Sequence, residues 1–137
     1  MDFKTSIIFL FIIFGIIRTE KICAQSIFPK EIQKSFASGD SKKLAGFFNQ
    51  NVELLLLNKG NVYSKAQAEL IMKDFFLKHS PKSFVIESED KDETTKFAIA
   101  LLHTKRTGFR VFIAYRNTNN KHFINQMIIS ELRRPND

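Results

Sequence analysis

The spacing of apolar residues changes along the chain, and each change predicts a different element. Apolar residues recur every four positions from Phe28 to Phe36, which predicts a short amphipathic helix over residues 29–38. Gly39 can take the left-handed conformation that ends this helix, and Asp40 can accept the first free amides of a second helix. The segment is therefore predicted to be two helices joined by a tight corner.

The apolar period then shortens to two. Residues 51–57 alternate in side-chain direction as a strand, and residues 58–61 predict a turn in which glycine allows a positive φ. Ser64 and Gln67 have the spacing of a capping box, and the apolar residues after them follow a helical period until Pro81. A strand, a hairpin turn and a third helix, the longest, are therefore expected.

The chain after Pro81 predicts strands only. Four apolar runs are separated by short polar turns, which is typical of antiparallel neighbours. The runs are residues 83–89, 96–104, 109–117 and 122–132. The predicted fold class is α+β, with three helices packed on an antiparallel β-sheet that contains a long four-stranded meander.

This meander is apolar on both faces, whereas the helices can cover only one. The positions concerned are Val85, Ile86, Phe97, Ile99, Leu101, Leu102, Val111, Phe112, Ile113, Ile124, Ile128 and Ile129. A sheet of this kind needs a second cover, and the simplest is another copy packed sheet to sheet. The sequence therefore predicts a homodimer.

The first 24 residues predict export. A short basic start that includes Lys4 precedes twelve mainly apolar residues, 6–17. As a helix these would cover roughly 18 Å, against about 30 Å of bilayer hydrocarbon, so a signal peptide is favoured over a membrane span. Cleavage after Ala24 would leave residues 25–137 as a single periplasmic or extracellular domain. The alternative is that Cys23 is lipidated.

The composition limits the kinds of binding site and partner that the chain can have. With one cysteine and three histidines in 137 residues, an intrachain disulfide framework and a structural zinc site are excluded. The net charge is +7, but the basic residues are scattered, so we expect no nucleic-acid partner and at most peripheral membrane contact. Five acids between Glu87 and Glu93 lack the central glycine of a calcium loop. No metal and no cofactor are expected.

The order of these elements resembles the nuclear transport factor 2-like superfamily. Within it, the chain is similar to a family of small exported proteins of unknown function from Gram-negative bacteria over residues 27–132. The phrases that carry the similarity are Gly39-Asp40-Ser41 with Leu44, Phe48-Asn49 with Val52-Glu53-Leu54, Tyr63-Ser64-Lys65-Ala66-Gln67-Ala68-Glu69, Phe75-Phe76 and Gly108-Phe109-Arg110-Val111. The resemblance implies a cone-shaped layer of three helices on a curved sheet, frequent dimers through that sheet, and in many members a pocket at the open end.

Four residues are candidates for lining such a pocket. If residues 106–108 form the loop of the second meander hairpin, His103 and Tyr115 share one face. A loop one residue longer or shorter would place them on opposite faces. Glu53 alternates with apolar residues of the first strand, and Arg110 could hold an anion at the pocket mouth or rim a dimer. No catalytic residue is assigned.

Three functions remain open at this point. The first is a non-catalytic exported domain that dimerises through its sheet and binds a small apolar ligand or an envelope protein. The second is an isomerase- or hydratase-like enzyme that uses the cone pocket. The third is an envelope scaffold held at anionic surfaces by the basic charge. The fold does not choose among them, because this superfamily contains both enzymes and proteins without catalysis.

Overall fold

The structure is a computed structural model, and it describes residues 26–91 and 95–133. Within these residues the chain forms three helices and six strands. The helices are α1 (Lys30–Ser38), α2 (Ser41–Ala45) and α3 (Lys65–Lys78). The strands are β1 (Phe48–Leu56), β2 (Lys59–Ser64), β3 (Pro81–Lys91), β4 (Lys96–Thr104), β5 (Gly108–Thr118) and β6 (Lys121–Glu131).

The corner between α1 and α2 forms as the sequence predicts. Gly39 has φ 66°, in the left-handed region, and its N–H donates to the carbonyl of Phe36 at 3.2 Å. The Asp40 side chain then accepts the N–H of Lys43 at 3.0 Å and caps α2. Because the chain turns within two residues, α2 packs back against α1 and also against α3.

Helix α3 begins at the predicted capping box. The Ser64 hydroxyl accepts the N–H of Gln67 at 3.2 Å, and the Gln67 side chain accepts the N–H of Ser64 at 3.1 Å. Four apolar side chains of α3 are buried: Ala68, Met72, Phe75 and Phe76. Helix α3 packs against α2, β1 and β2 and so closes one end of the core.

The first hairpin turns earlier than the sequence predicts. Leu57 and Asn58 both have positive φ, 50° and 68°, and strand β2 starts at the next residue. The prediction that Gly60 supplies a positive φ in a turn over residues 58–61 is therefore wrong. Gly60 lies within β2 opposite Leu55, and a Cβ there would come within 3.0 Å of the Leu55 Cα. Glycine is needed because the two backbones approach closely.

The strands form one curved sheet in the order β2-β1-β6-β5-β4-β3. Strand β1 pairs with β6 in parallel, and the other four pairings are antiparallel. The predicted α+β class with a curved, mostly antiparallel sheet is confirmed. The parallel pair was not predicted, because its two strands are separated by most of the chain.

The core lies between the helices and one face of the sheet, which we call the inner face. Phe36 from α1 stacks on Phe84 of β3 at 4.5 Å between ring centroids. Phe75 from α3 meets Phe109 of β5 edge to face at 5.1 Å. Aromatic rings therefore fill the space between α1, α3 and the inner face.

Two predictions fall partly or wholly on residues outside the described ranges. The signal peptide over residues 1–24, with its alternative at Cys23, lies there entirely, as do Asp92 and Glu93 of the acidic run. In residues 26–91 and 95–133, no helix is both long and apolar enough to cross a membrane.

Candidate functional site

The second predicted hairpin has a different register, and this separates the four candidate residues. His103 of β4 pairs with Gly108 of β5, so the loop contains the four residues 104–107. Thr104 and Thr107 hold this loop closed: the Thr104 N–H donates to the Thr107 carbonyl at 2.9 Å, and the Thr104 hydroxyl accepts the Thr107 N–H at 3.3 Å. The predicted loop over residues 106–108 is therefore wrong, and so is the shared face of His103 and Tyr115.

Tyr115 lies on the inner face, and the other three candidates do not. Its side chain is buried, whereas His103, Glu53 and Arg110 are exposed. Arg110 and Glu53 lie on the opposite side of the sheet, which we call the outer face, as does His103. The four residues therefore do not form one pocket.

Arg110 and Glu87 form a weak ion pair on the outer face. The Arg110 Nε lies 3.8 Å from a Glu87 carboxylate oxygen, and both side chains are about half exposed. Such a pair contributes about 0–1 kcal/mol, because water screens it. Glu87 therefore does not hold Arg110 firmly in place.

Between these charges the outer face is apolar. Cross-strand pairing places Val85 beside Leu101, Ile99 beside Phe112, and Phe112 beside Ile128. The rings of Phe97 and Phe112 stack at 5.7 Å. We call this set the outer apolar stripe; it comprises Leu55, Val85, Phe97, Ile99, Leu101, Phe112 and Ile128. All of its members retain exposed surface, and Val85 is 53% exposed.

A second cluster surrounds Tyr115 on the inner face. Its ring meets Phe28 edge to face at 5.3 Å and His122 of β6 at 6.1 Å. Burial raises the pKa of Tyr115, and the nearby carboxylate of Glu89 raises it further. The phenol therefore stays protonated in this cluster.

His122 is the member of this cluster with an unsatisfied polar atom. Its Nδ1 is buried and has no hydrogen-bond partner among the described residues. Burial lowers the pKa of His122, and the positive charge of Lys96 lowers it further. His122 is therefore a neutral imidazole near pH 7, with one ring nitrogen free to bond.

Glu89 holds the residues that precede α1. Its carboxylate accepts the N–H of Phe28 at 2.8 Å and the N–H of Ile27 at 3.2 Å, and it also accepts the hydroxyl of Ser26. Sequence reasoning placed Glu89 only in an acidic run and assigned no role to His122. No spacing signal could have found the Glu89 contacts, because they join residues more than 60 positions apart.

Two open grooves lie away from both clusters. One of about 690 Å³ is lined by Leu57, Thr107, Glu131 and neighbouring residues at one end of the sheet. The other, of about 540 Å³, lies beside the α1–α2 corner and is lined by Gly39, Leu77, Pro81 and neighbouring residues. Neither contains a predicted site residue. In the described part of the chain, no group of three His, Cys, Asp or Glu side chains could hold a metal ion.

Comparison with solved structures identifies the class of fold. An NTF2-like protein of unknown function from Shewanella baltica superposes with a TM-score of 0.61 at 14% identity. That match covers 77% of this chain and 88% of the other. The three helices and the curved, mostly antiparallel sheet are therefore an NTF2-like fold.

Residues 29–130 match the family described as Domain of unknown function (DUF4783), and the chain belongs to this family. A member from Bacteroides uniformis is 30% identical, with a TM-score of 0.73 over 78% of this chain and 99% of that one. A member from Bacteroides ovatus is 24% identical, with a TM-score of 0.73 over 77% and 96%. None of the curated proteins matches the chain.

Proposed function

We propose that this protein is a non-catalytic, exported domain that binds a second copy of itself through the outer face of its sheet. The observation that carries the proposal is the outer apolar stripe, which lies opposite the helices. A row of apolar side chains that crosses several strands and keeps exposed surface is typical of an interaction face in a soluble domain. A second sheet packed on it would bury both copies at once.

The size of the outer face supports this occupant. Five of the six strands have nine to eleven residues and are roughly 30 Å long, whereas β2 has six residues, and six strands spaced about 4.8 Å apart span roughly 24 Å. The face therefore measures roughly 700 Å², close to the approximately 800 Å² per partner of a standard stable interface. A second copy would cover it almost completely.

The charges around the stripe support a copy rather than a strongly charged partner. Arg110 and Glu87 lie near one another, and Glu53 lies farther along the same face. In a two-fold symmetric dimer the same face of both copies is in contact. A rim that carries both positive and negative residues can therefore place opposite charges against each other across the interface. A rim of one sign would repel its copy.

The separation of the candidate residues supports a binding role over catalysis. General acid–base chemistry requires its groups within hydrogen-bond reach of one bound molecule. Here the sheet itself stands between Tyr115 and the three outer candidates. The same placement makes Arg110 and Glu53 rim residues of an interface.

The oligomeric state tests the proposal. We expect sedimentation equilibrium to give a dimer in the micromolar range, and Phe112→Asp to weaken association at least tenfold by placing a charge in the stripe. Leu70→Asp is the matched control, because Leu70 is 66% exposed on α3. If Phe112→Asp unfolds, Ile99→Lys replaces it. A parent protein that stays monomeric throughout this range would contradict the proposal.

Export is the second part of the proposal, and the first 24 residues support it. The basic start and the apolar run over residues 6–17 have the form of a signal peptide. We expect the intact mass of the protein purified from its host to correspond to a chain that begins at Gln25. A mass that retains Cys23 with attached acyl chains would show a lipoprotein instead, and an unprocessed chain in the cytoplasm would exclude export.

A further inference from the structure

Residues 26–28 form a short segment before α1 that inserts one side chain into the core. Phe28 is only 1% exposed, whereas its neighbour Ile27 is 48% exposed. Pro29 follows, with the fixed φ that starts α1 directly afterwards. The segment therefore lies on the surface, apart from a single ring that points inward.

The N–H groups and the hydroxyl of this segment donate to one side chain. Glu89 accepts the N–H groups of Ile27 and Phe28 and the hydroxyl of Ser26. The Phe28 carbonyl accepts the side-chain amide of Gln33 on α1 at 3.0 Å. Hydrogen bonds to an ionised carboxylate are about twice as strong as neutral ones. Glu89 therefore acts as the latch that joins the segment to β3.

The Phe28 ring occupies a site with aromatic walls on the sheet. Tyr115 meets it edge to face at 5.3 Å, and Phe84 lies at 6.5 Å with its ring tilted by 41°. These are the separations that aromatic pairs prefer. Both walls belong to strands, so they would stay in place if the segment moved away. The site is shaped for a planar ring.

His122 Nδ1, a polar atom without a hydrogen-bond partner in the described ranges, indicates that this cluster can accept a ligand other than the Phe28 ring. His122 contacts the ring of Tyr115, and its buried Nδ1 has no partner in the described ranges. A buried polar atom without a partner costs about 1–3 kcal/mol, and native proteins rarely leave one. Phe28 cannot satisfy it, because a phenyl ring has no hydrogen-bonding group.

We propose that residues 26–28 are an intramolecular plug, which Glu89 latches into an aromatic site and which a free aromatic compound with one hydrogen-bonding group can displace. The free compound would replace the Phe28 ring against Tyr115 and Phe84, and its polar group would extend along Tyr115 to bond to His122, which contacts the same tyrosine ring. This site lies on the inner face and is independent of the outer apolar stripe. Its test therefore succeeds or fails separately from that of the dimer.

Amide hydrogen exchange on the parent protein, with indole as the probe, tests displacement. Indole is planar and carries one N–H group that can bond to an imidazole nitrogen. We expect millimolar indole to accelerate exchange of the Ile27 and Phe28 amides at least tenfold, while the amides of Val111 and Ile113 in β5 keep their rates. Saturable indole binding that leaves the Ile27 and Phe28 amides unchanged would overturn the plug.

Variants then test the latch. Glu89→Ala should free the segment, accelerate the same two amides without indole, and tighten indole binding at least tenfold in a calorimetric titration. Asp90→Ala is the control, because it removes the same charge one position along β3 from an exposed side chain. Equal effects of both substitutions, or no change with Glu89→Ala, would overturn the latch. Phe28→Ala should bind indole with Glu89 intact, and failure to do so would overturn the site.

Discussion

At the level of single residues, burial favours the neutral forms of both Tyr115 and His122. It raises the pKa of the phenol and lowers the pKa of the imidazole, and each residue has a charged neighbour that adds to its shift. Their contact therefore places two uncharged polar groups at one end of the core. Of these two groups, only His122 can gain a charge when the pH falls.

His122 should make folding stability depend on pH. Because the folded state lowers the pKa of His122 below its usual 6.5, the unfolded chain binds a proton that the folded chain refuses. Stability should therefore fall as the pH drops below about 6.5, until the lower folded pKa is reached. The measurement is the free energy of unfolding in urea between pH 7.5 and 5, for the parent and for His122→Gln.

His122→Gln should flatten this dependence while leaving the rest of the acid profile unchanged. His103→Gln is the matched control, because the same substitution is made at an exposed position on the outer face. If the parent and His122→Gln lose stability in parallel between pH 6.5 and 5, His122 does not titrate as its surroundings require. The same result from His103→Gln would assign the effect to histidine charge in general.

At the level of elements, the corner between α1 and α2 depends on one backbone angle. Gly39 has φ 66°, and a Cβ there would lie 3.2 Å from Cδ of Pro81. Gly39→Ala should therefore lower the free energy of unfolding by about 1–2 kcal/mol, since an L-residue in the left-handed region costs that much. Urea denaturation measures the loss.

Gly39→Asn distinguishes the effect of the positive φ angle at residue 39 from the effect of the contact with Pro81. Asparagine brings the same Cβ towards Pro81 but tolerates the left-handed region better than alanine does. We therefore expect Gly39→Asn to lose less stability than Gly39→Ala. Equal losses would mean that the contact with Pro81, and not the φ angle, limits this corner.

Elements whose signals are local could be predicted, and those set by distant contacts could not. The αL residue Gly39, the cap Asp40 and the capping box at Ser64 each act within four residues, so the sequence shows them directly. The register of the β4–β5 hairpin depends on the threonine pair that closes its loop. With a loop of four residues instead of three, each side chain of β5 lies on the opposite face of the sheet relative to β4. His103 and Tyr115 therefore lie on opposite faces instead of sharing one.

At the level of the whole molecule, the sheet has two apolar faces with different environments. The helices cover the inner face, and the outer apolar stripe lies on the other side, as the apolar positions of both parities in the sequence predict. The inner cluster could not be predicted in this way. Glu89 meets Phe28 only because β3, at one edge of the sheet, passes under the start of α1.

Dimerisation through the outer face should link stability to protein concentration. A dimer that unfolds to separate chains gains about 1.4 kcal/mol per mole of dimer for each tenfold rise in concentration, which raises the Tm by several degrees. We expect this shift in the parent between about 2 and 200 µM, measured by calorimetry. Phe112→Asp should abolish the shift, whereas Leu70→Asp, on exposed α3 surface, should retain it. A parent Tm that is constant across this range would contradict a dimer that is essential to the fold, because the folded state would then gain nothing from its second copy.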